Sequence, residues 1–239
     1  MKFGVIVFPG SNCDDDMVDI LADVFNKDVQ KIWHKETSLS SFGPGDCIIL
    51  PGGFSYGDYL RCGAVARFSP IMPEVIRFAQ EGGLVIGICN GFQILCEAGL
   101  LPGTLLLNMN QRFICRNIYL KACTNNSALS YDLDLTKPHM IPIAHADGRY
   151  YADNQTLQQL VQNEQIIFKY CDFQGDVNEE SNINGSCHNI AGICNENRNI
   201  YGMMPHPERA SESALGNIDG SHMFRSVFSW LKEHHSLIA

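Results

Sequence analysis

The sequence predicts an α/β fold: a mostly parallel central sheet flanked by helices, with an antiparallel extension. Three observations predict it. In the first half, short apolar runs that end at Pro or Gly alternate with stretches of helical period. That alternation implies right-handed crossovers and a parallel sheet. In the second half, strand-like runs follow one another with turn signals between them, such as Asn184-Gly185 and Asn195-Glu196-Asn197, which is the pattern of antiparallel pairing. Finally, Met223, Val227, Phe228 and Leu231 recur at the spacing of an amphipathic helix. No linker, repeat or low-complexity segment divides the chain, so a single domain over 1–239 is expected.

The elements follow in order. A β-rich run at 3–8 stops at Pro9-Gly10. Ser11 or Asn12 then stands where a helix N-cap is needed, and Asp14, Asp15 and Asp16 fill a first turn that favours negative charge. Met17, Ile20, Leu21, Val24 and Phe25 give that helix its apolar face. Short strands are expected at 29–33 and 46–50, the second stopped by Pro51-Gly52-Gly53. A helix at 73–80 leads to a strand at 84–88, and later strands fall at 112–121, 141–144, 165–170, 190–194 and 200–203. Ligands of a parallel sheet bind at the carboxyl ends of its strands. Both Gly52-Gly53 and the turn after residue 88 lie there.

Composition narrows the function classes. The formal charge of −9 and the scattered Lys and Arg argue against nucleic acid. No apolar run is long enough to span a bilayer and no signal peptide is evident, so a cytoplasmic chain without membrane partners is expected. The ten cysteines contain no Cys-x-x-Cys pair, which argues for reduced thiols and against a metal centre. All but Cys89 are expected to be packing or incidental residues, Cys13 and Cys62 among them. The acidic run 14–16 is expected to be a solvated helix start, because consecutive helical residues point apart. His34, His222, His234 and His235 are expected to be solvated and His139 to lie in a polar loop. His145 and His188 remain candidates for a site.

Chemistry concentrates at Gly87-Ile88-Cys89-Asn90-Gly91-Phe92-Gln93. A buried strand, a cysteine between glycines and then a helix form the pattern of a nucleophile elbow. The glycines keep the neighbours of the cysteine small, and the helix N-terminus favours a thiolate. Such a nucleophile needs a base, and the base an orienting group. His206-Pro207-Glu208 offers both, because a residue before proline is extended and alternate residues then project to one side. Pattern alone leaves open that His206 is a solvated loop histidine. Backbone N–H groups of Gly52-Gly53 and of Asn90 complete the parts list with an oxyanion site.

Gly-Ile-Cys-Asn-Gly-Phe-Gln, Pro-Gly-Gly and Pro-His-Pro-Glu, in this order, resemble the class I glutamine amidotransferases, whose fold is flavodoxin-like. Further segments carry the resemblance over nearly the whole chain: Pro9-Gly10-Ser11-Asn12-Cys13-Asp14, Phe54-Ser55-Tyr56-Gly57-Asp58-Tyr59-Leu60-Arg61 and Gly202-Met203-Met204-Pro205-His206. They are similar to the branch of that family that serves de novo purine synthesis. The resemblance implies that Cys89 attacks the side-chain amide of glutamine, with His206 as acid and base and Glu208 orienting it. It implies oxyanion or substrate contacts from Gly52, Gly53, Asn90 and Gln93. Ammonia would pass to a separate synthetase, with a small accessory subunit beside it. There formylglycinamide ribonucleotide becomes the amidine. ATP and Mg would bind on the synthetase and no cofactor here, in keeping with the lack of a phosphate-binding loop. Arg61, His145 and Asp147 would belong to a substrate or partner loop, and the segment 54–67, rich in Tyr, Arg and Gly, to the glutamine pocket and partner surface. One departure stands out: His145-Ala146-Asp147-Gly148 replaces the family's His-Gly-Glu-Gly. Two other classes compete at this point. One is a cysteine amidase or peptidase that works without a partner. The other is a non-catalytic interaction domain, against which the intact Cys89, His206 and Glu208 set speaks.

Overall fold

A computed structural model of the chain describes residues 1–235. The last four positions of the expected 1–239 unit lie outside them. In chain order the elements are β1 (Lys2–Val7), α1 (Asp14–Asp19), β2 (Asp28–Trp33), β3 (Cys47–Leu50), α2 (Met72–Gln80), β4 (Leu84–Ile88), α3 (Asn90–Glu97) and β5 (Thr104–Leu106). They continue with β6 (Ile114–Ala122), β7 (Pro138–His145), β8 (Arg149–Tyr151), α4 (Asn154–Gln162), β9 (Ile166–Cys171), β10 (Ile190–Cys194), β11 (Ile200–Met203) and α5 (Asp219–His235).

One nine-stranded sheet runs β2-β1-β3-β4-β11-β10-β9-β6-β7. Its first five strands are parallel. From β11 onward every pair is antiparallel. This is the expected mostly parallel sheet with an antiparallel extension. The parallel strands are wholly apolar where helices cover both faces, as in β3 and β4, whose residues are all buried. The sequence did not signal α4 or the β5–β8 ribbon. The helix rests on a cap, Asp153, whose side chain accepts the Thr156 N–H at 2.8 Å; apart from Leu157 and Leu160 its residues stay outside the core.

The topology places the site. β4 and β11 are adjacent and parallel, with Met203 opposite Ile88. The chain therefore leaves both strands at one edge, and the Cys89 N–H donates to the Met203 carbonyl at 2.7 Å. His206 lies three residues past β11, where its N–H donates to Pro142 of β7 at 2.9 Å. Four local expectations are corrected. Neither Ser11 nor Asn12 caps α1. Cys13 holds that position without a side-chain bond, while Ser11 Oγ accepts from Phe8 N–H at 3.2 Å. His139 belongs to β7 and is buried. His34 is also buried, its Nδ1 2.8 Å from the Tyr56 hydroxyl. Asp14 is buried too and pairs with Lys31 at 2.9 Å. His222 and His234 are exposed, as expected. Among the described residues no helix is long and apolar enough to cross a membrane.

Candidate active site

Cys89 sits at the N-terminus of α3 with φ +50° and ψ −104°, a backbone conformation that an L-residue holds only when its surroundings fix it. The flanking glycines do that fixing. A β-carbon at Gly91 would overlap the Leu50 carbonyl oxygen, and one at Gly87 would lie 2.6 Å from the Gly91 carbonyl carbon. The glycines thus let α3 press onto the sheet. They leave no open space over the sulfur, and Cys89 is only 5% exposed. Its thiol points toward the Ala144 carbonyl at 3.8 Å.

His206 and Glu208 do come together. Nδ1 of the ring is 2.5 Å from Oε1 of Glu208, and both side chains are buried. Burial pulls the imidazole toward its neutral form. The Glu208 charge and then Cys89 outweigh it and push its pKa up to about 10. No well-formed hydrogen bond occupies Nε2, although Cys89 is near enough to raise the ring's proton affinity. The solvated-loop alternative for His206 is excluded. Gly53, at φ +137°, is in a conformation that favours glycine, and Gly53 and Asn90 keep backbone N–H groups that no other described residue takes. Gly52 lies behind the cleft, where a β-carbon would be 2.7 Å from His206 Cε1 and 3.1 Å from the Cys13 sulfur.

A polar lattice ties three segments around the sulfur. Asn90 Oδ1 accepts from Ser55 N–H at 3.1 Å, Asn90 Nδ2 donates to Gln93 Oε1 at 2.8 Å, and Gln93 Nε2 donates to the Asp147 carbonyl at 2.6 Å. Asn108 pins the 145–148 loop. Its Nδ2 donates to the His145 carbonyl at 2.8 Å, and its Oδ1 accepts from Gly148 N–H at 3.2 Å. His145 is buried beside the cleft, and burial, with the His206 charge, lowers its pKa to about 4. The cleft itself is about 40 Å³, lined by Gly53, Asp58, Cys62, Cys89, Gln93 and the 144–147 loop among others. Small-molecule pockets start at roughly 300 Å³, so this one is nearly shut.

Two predicted residues lie elsewhere. Arg61 pairs with Glu97 at 2.6 Å and is half exposed, and His188 is absent from the cleft lining. Three residues that the sequence reading did not single out lie near the site, and two of them, Cys13 and Cys62, were expected to be packing or incidental. Asp58 lines the cleft at φ +56°. The Cys62 thiol donates to Asp147 Oδ2 at 3.0 Å. Cys13 lies with a His206 nitrogen and a Glu208 oxygen, all within 4.8 Å of one another. Such a trio has metal-ligand chemistry, but Arg209 already donates to the Cys13 sulfur at 3.0 Å and to Asp16 at 3.0 Å. Burial, against the pull of Arg209, pushes the Cys13 thiol up to about 12. That describes a protonated thiol within a hydrogen-bonded network. The position of these residues inside turn motifs was their only sequence signal.

Residues 1–232 match the model of the CobB/CobQ-like glutamine amidotransferase domain. The chain is 52% identical to phosphoribosylformylglycinamidine synthase subunit PurQ of Salinibacter ruber, over 100% of this chain and 98% of that protein. It is 55% identical to the protein of the same name from Moorella thermoacetica, over 96% of each. Among solved structures, a chain in the structure of PurLQS from Thermotoga maritima matches with a TM-score of 0.84 and 39% identity, over 97% of this chain and 99% of that one. A glutamine amidotransferase from Thermotoga maritima, 12% identical with a TM-score of 0.55 over 100% of this chain and 86% of that one, shares the fold. The buried Cys89 elbow and the His206–Glu208 pair thus sit on the scaffold of a known group: the chain belongs to the CobB/CobQ-like glutamine amidotransferase family and, within it, to the PurQ subunits of phosphoribosylformylglycinamidine synthase.

Proposed function

We propose that this chain hydrolyses glutamine through Cys89, His206 and Glu208 and delivers the ammonia to a synthetase partner. The partner uses it, with ATP, to convert formylglycinamide ribonucleotide to formylglycinamidine ribonucleotide. The observation that carries the reading is the strained Cys89 elbow beside a histidine held at 2.5 Å by a buried carboxylate. In the first half-reaction the Cys89 thiolate attacks the amide carbon. The oxyanion that forms is received by the Gly53 and Asn90 N–H groups. The His206 imidazolium gives its proton to the amide nitrogen, the C–N bond breaks, and ammonia leaves a γ-glutamyl thioester. In the second, neutral His206 takes a proton from water, hydroxide adds to the thioester and the thiolate departs. Glutamate loses its proton, and the thiolate–imidazolium pair is restored. Glu208 holds the ring in place and favours its charged form.

A cleft of about 40 Å³ is small for glutamine. That favours a subunit whose site opens in the assembly over an amidase that works alone. The rim carries the means for docking: Phe54, Tyr59, Leu60 and Phe113 are all exposed beside the cleft, an apolar patch of the kind that marks interfaces. A small accessory subunit completes the assembly in this reading. The ten cysteines, all free, suit a reducing cytoplasm. The test is glutamate and ammonia release from glutamine, by the chain alone and with its synthetase. Activity that depends on the synthetase and vanishes in Cys89→Ala is expected. A parent inert with its synthetase, or a Cys89→Ala variant that stays active, overturns the reading.

A further inference from the structure

Among the described residues three arginines are half-buried, and two of them are satisfied. Arg198 donates to the backbone carbonyls of Asn126 and Asn163 at 2.7 and 2.8 Å, and Arg209 donates to Asp16 and Cys13, each at 3.0 Å. The third, Arg149, makes no side-chain hydrogen bond or ion pair with any described residue, and its Nε is shut off from water. A buried donor without an acceptor costs free energy. The surroundings hold Arg149 in that state. It stands on β8 opposite Leu106 of β5. Asn184 Nδ2 donates to the Gly148 carbonyl at 2.8 Å, and the Asn184 carbonyl accepts from Met109 N–H at 3.0 Å. Next to Asn184 is Gly185 at φ +81°, where a β-carbon would lie 2.8 Å from Met109 Cε and 3.3 Å from Arg149 Cδ. The result is a notch floored by a glycine, with the cationic stem of Arg149 on one side and the 67% exposed Met109 on the other.

Arg149 lies outside the lining of the catalytic cleft, yet the notch runs into the apolar rim. Leu107 and Phe113, on either side of Met109 in the chain, are exposed, and the Phe113 ring is 6.5 Å from that of Phe54, which lines the cleft. A guanidinium without an acceptor, at the end of an apolar patch, is completed by a carboxylate from outside. An acidic side chain matches both walls of the notch, its carboxylate on Arg149 and its methylenes on Met109. A free inorganic anion matches only one. We propose that this notch receives an acidic side chain of the synthetase partner and that the resulting ion pair fixes how the partner sits over the cleft. The inference rests on the glutaminase reading above and deepens it, giving the docking rim a polar anchor. The chain as a whole carries a formal charge of −9. A single unpaired guanidinium therefore sets the register at contact and adds little attraction from a distance.

The test uses the full chain and its synthetase. Binding is followed by sedimentation and by titration of glutaminase activation, at low and at high salt. Arg149→Gln keeps a donor and removes the charge. It is expected to weaken synthetase binding about tenfold at low salt, and the difference from the parent should shrink at high salt, as a charge pair is screened. The KM for glutamine at saturating synthetase should stay unchanged. Arg149→Lys should recover part of the affinity at low salt, since it restores the charge without the planar fork. The unfolding midpoint of the isolated Arg149→Gln chain should not fall, because no contact is lost there. Unaltered binding overturns the proposal, as does a weakening of equal size at both salts. A raised KM for glutamine with binding unaltered would place a substrate carboxylate on Arg149 and overturn it too, and a lowered unfolding midpoint would mark a structural role. Failure of the underlying reading looks different: the parent would bind its synthetase and release no glutamate.

Discussion

The Cys89 elbow and the 54–62 loop both hold non-glycine residues in the left-handed half of backbone space, with Cys89 at φ +50° and Tyr56, Asp58 and Leu60 at +54°, +56° and +69°. The elbow is enclosed: β4, β11 and α3 pack around it, and its glycines allow no gap. The loop is fixed only at its ends. Tyr56 is tied to His34 at 2.8 Å and Ser69 at 2.9 Å, and Cys62 to Asp147, while Tyr59 and Leu60 between them are 76% and 94% exposed. Strain persists where the surroundings over-determine it. The fold itself supplies those surroundings at the nucleophile. At the loop tip they must come from whatever docks there. One wall of the cleft is therefore finished in the isolated chain, and under the proposed function the other is left for substrate and synthetase to complete.

The sharpest way to break this comparison is to remove what the finished wall exists to hold. Cys89→Ala should reduce synthetase-dependent glutaminase activity at least ~10⁴-fold, since no other group takes over a covalent step. Thermal stability should be nearly unchanged. A residual rate within tenfold of the parent would mean that the strained elbow serves structure alone.

Next comes the packing that fixes the elbow. Gly91→Ala drives a methyl group into the Leu50 carbonyl, which is backbone and cannot swing away. Overpacking against backbone is expected to cost about 3 kcal/mol, read as a lower midpoint in urea unfolding. The corresponding change at the loop, Gly57→Ala, meets only the Tyr59 ring at 3.5 Å, and its cost is the left-handed backbone at φ +68°, roughly 1 kcal/mol. Equal losses at both positions would remove the contrast between a locked wall and an open one.

Glu208→Gln probes how the finished wall holds its proton. Without the carboxylate its raising effect is gone and the imidazole falls from about 10 toward its ordinary value of 6.5. Turnover should drop roughly 100-fold, the scale of a misplaced acid–base group. The sign of the stability effect follows from the raised value. A histidine held up at about 10 contributes stability that is fully present below its unfolded value of 6.5 and is lost as pH rises through 10. In Glu208→Gln that decline between pH 6.5 and 10 should disappear from the unfolding profile. An unchanged profile would mean that Glu208 does not hold the charge on His206.

The two walls also differed in how much of them the sequence disclosed. The elbow is a local pattern, a buried strand, a cysteine and two glycines within a few residues, and the His206-Pro207-Glu208 pair spans only three positions. Each could be read from spacing. The parallel pairing of the first-half strands followed from the alternation of helices and strands. By contrast, Cys62 meets Asp147 across 85 residues and Arg209 meets Cys13 across 196. Such contacts exist only once the nine-stranded sheet has formed and the segments that follow β1, β3, β7 and β11 meet. His34 and His139 were misread for the same reason: what buries them is set by neighbours in space, such as Tyr56 beside His34. What stays hidden in a sequence is the long-range polar contact, and the unfinished wall of this cleft is built of those.

The smallest effect tests that unfinished wall directly. Leu60 is 94% exposed at φ +69°, so its side chain gains nothing from burial and its backbone carries a penalty. Glycine accepts that conformation freely but loses more entropy on folding, and the two terms leave a net stabilisation of roughly 0.5 kcal/mol for Leu60→Gly. In a chain of this size that corresponds to a rise in Tm of about 1–2 °C. The same substitution removes an apolar contact from the proposed docking rim. Synthetase binding, followed by titration of glutaminase activation, should weaken several-fold while the isolated chain becomes more stable. That opposite movement is the signature of a loop shaped for a partner: a residue that slightly destabilises the free chain and is compensated only in the complex. A fall in Tm would show that position 60 is relaxed in the free chain, and unaltered activation would take Leu60 out of the interface.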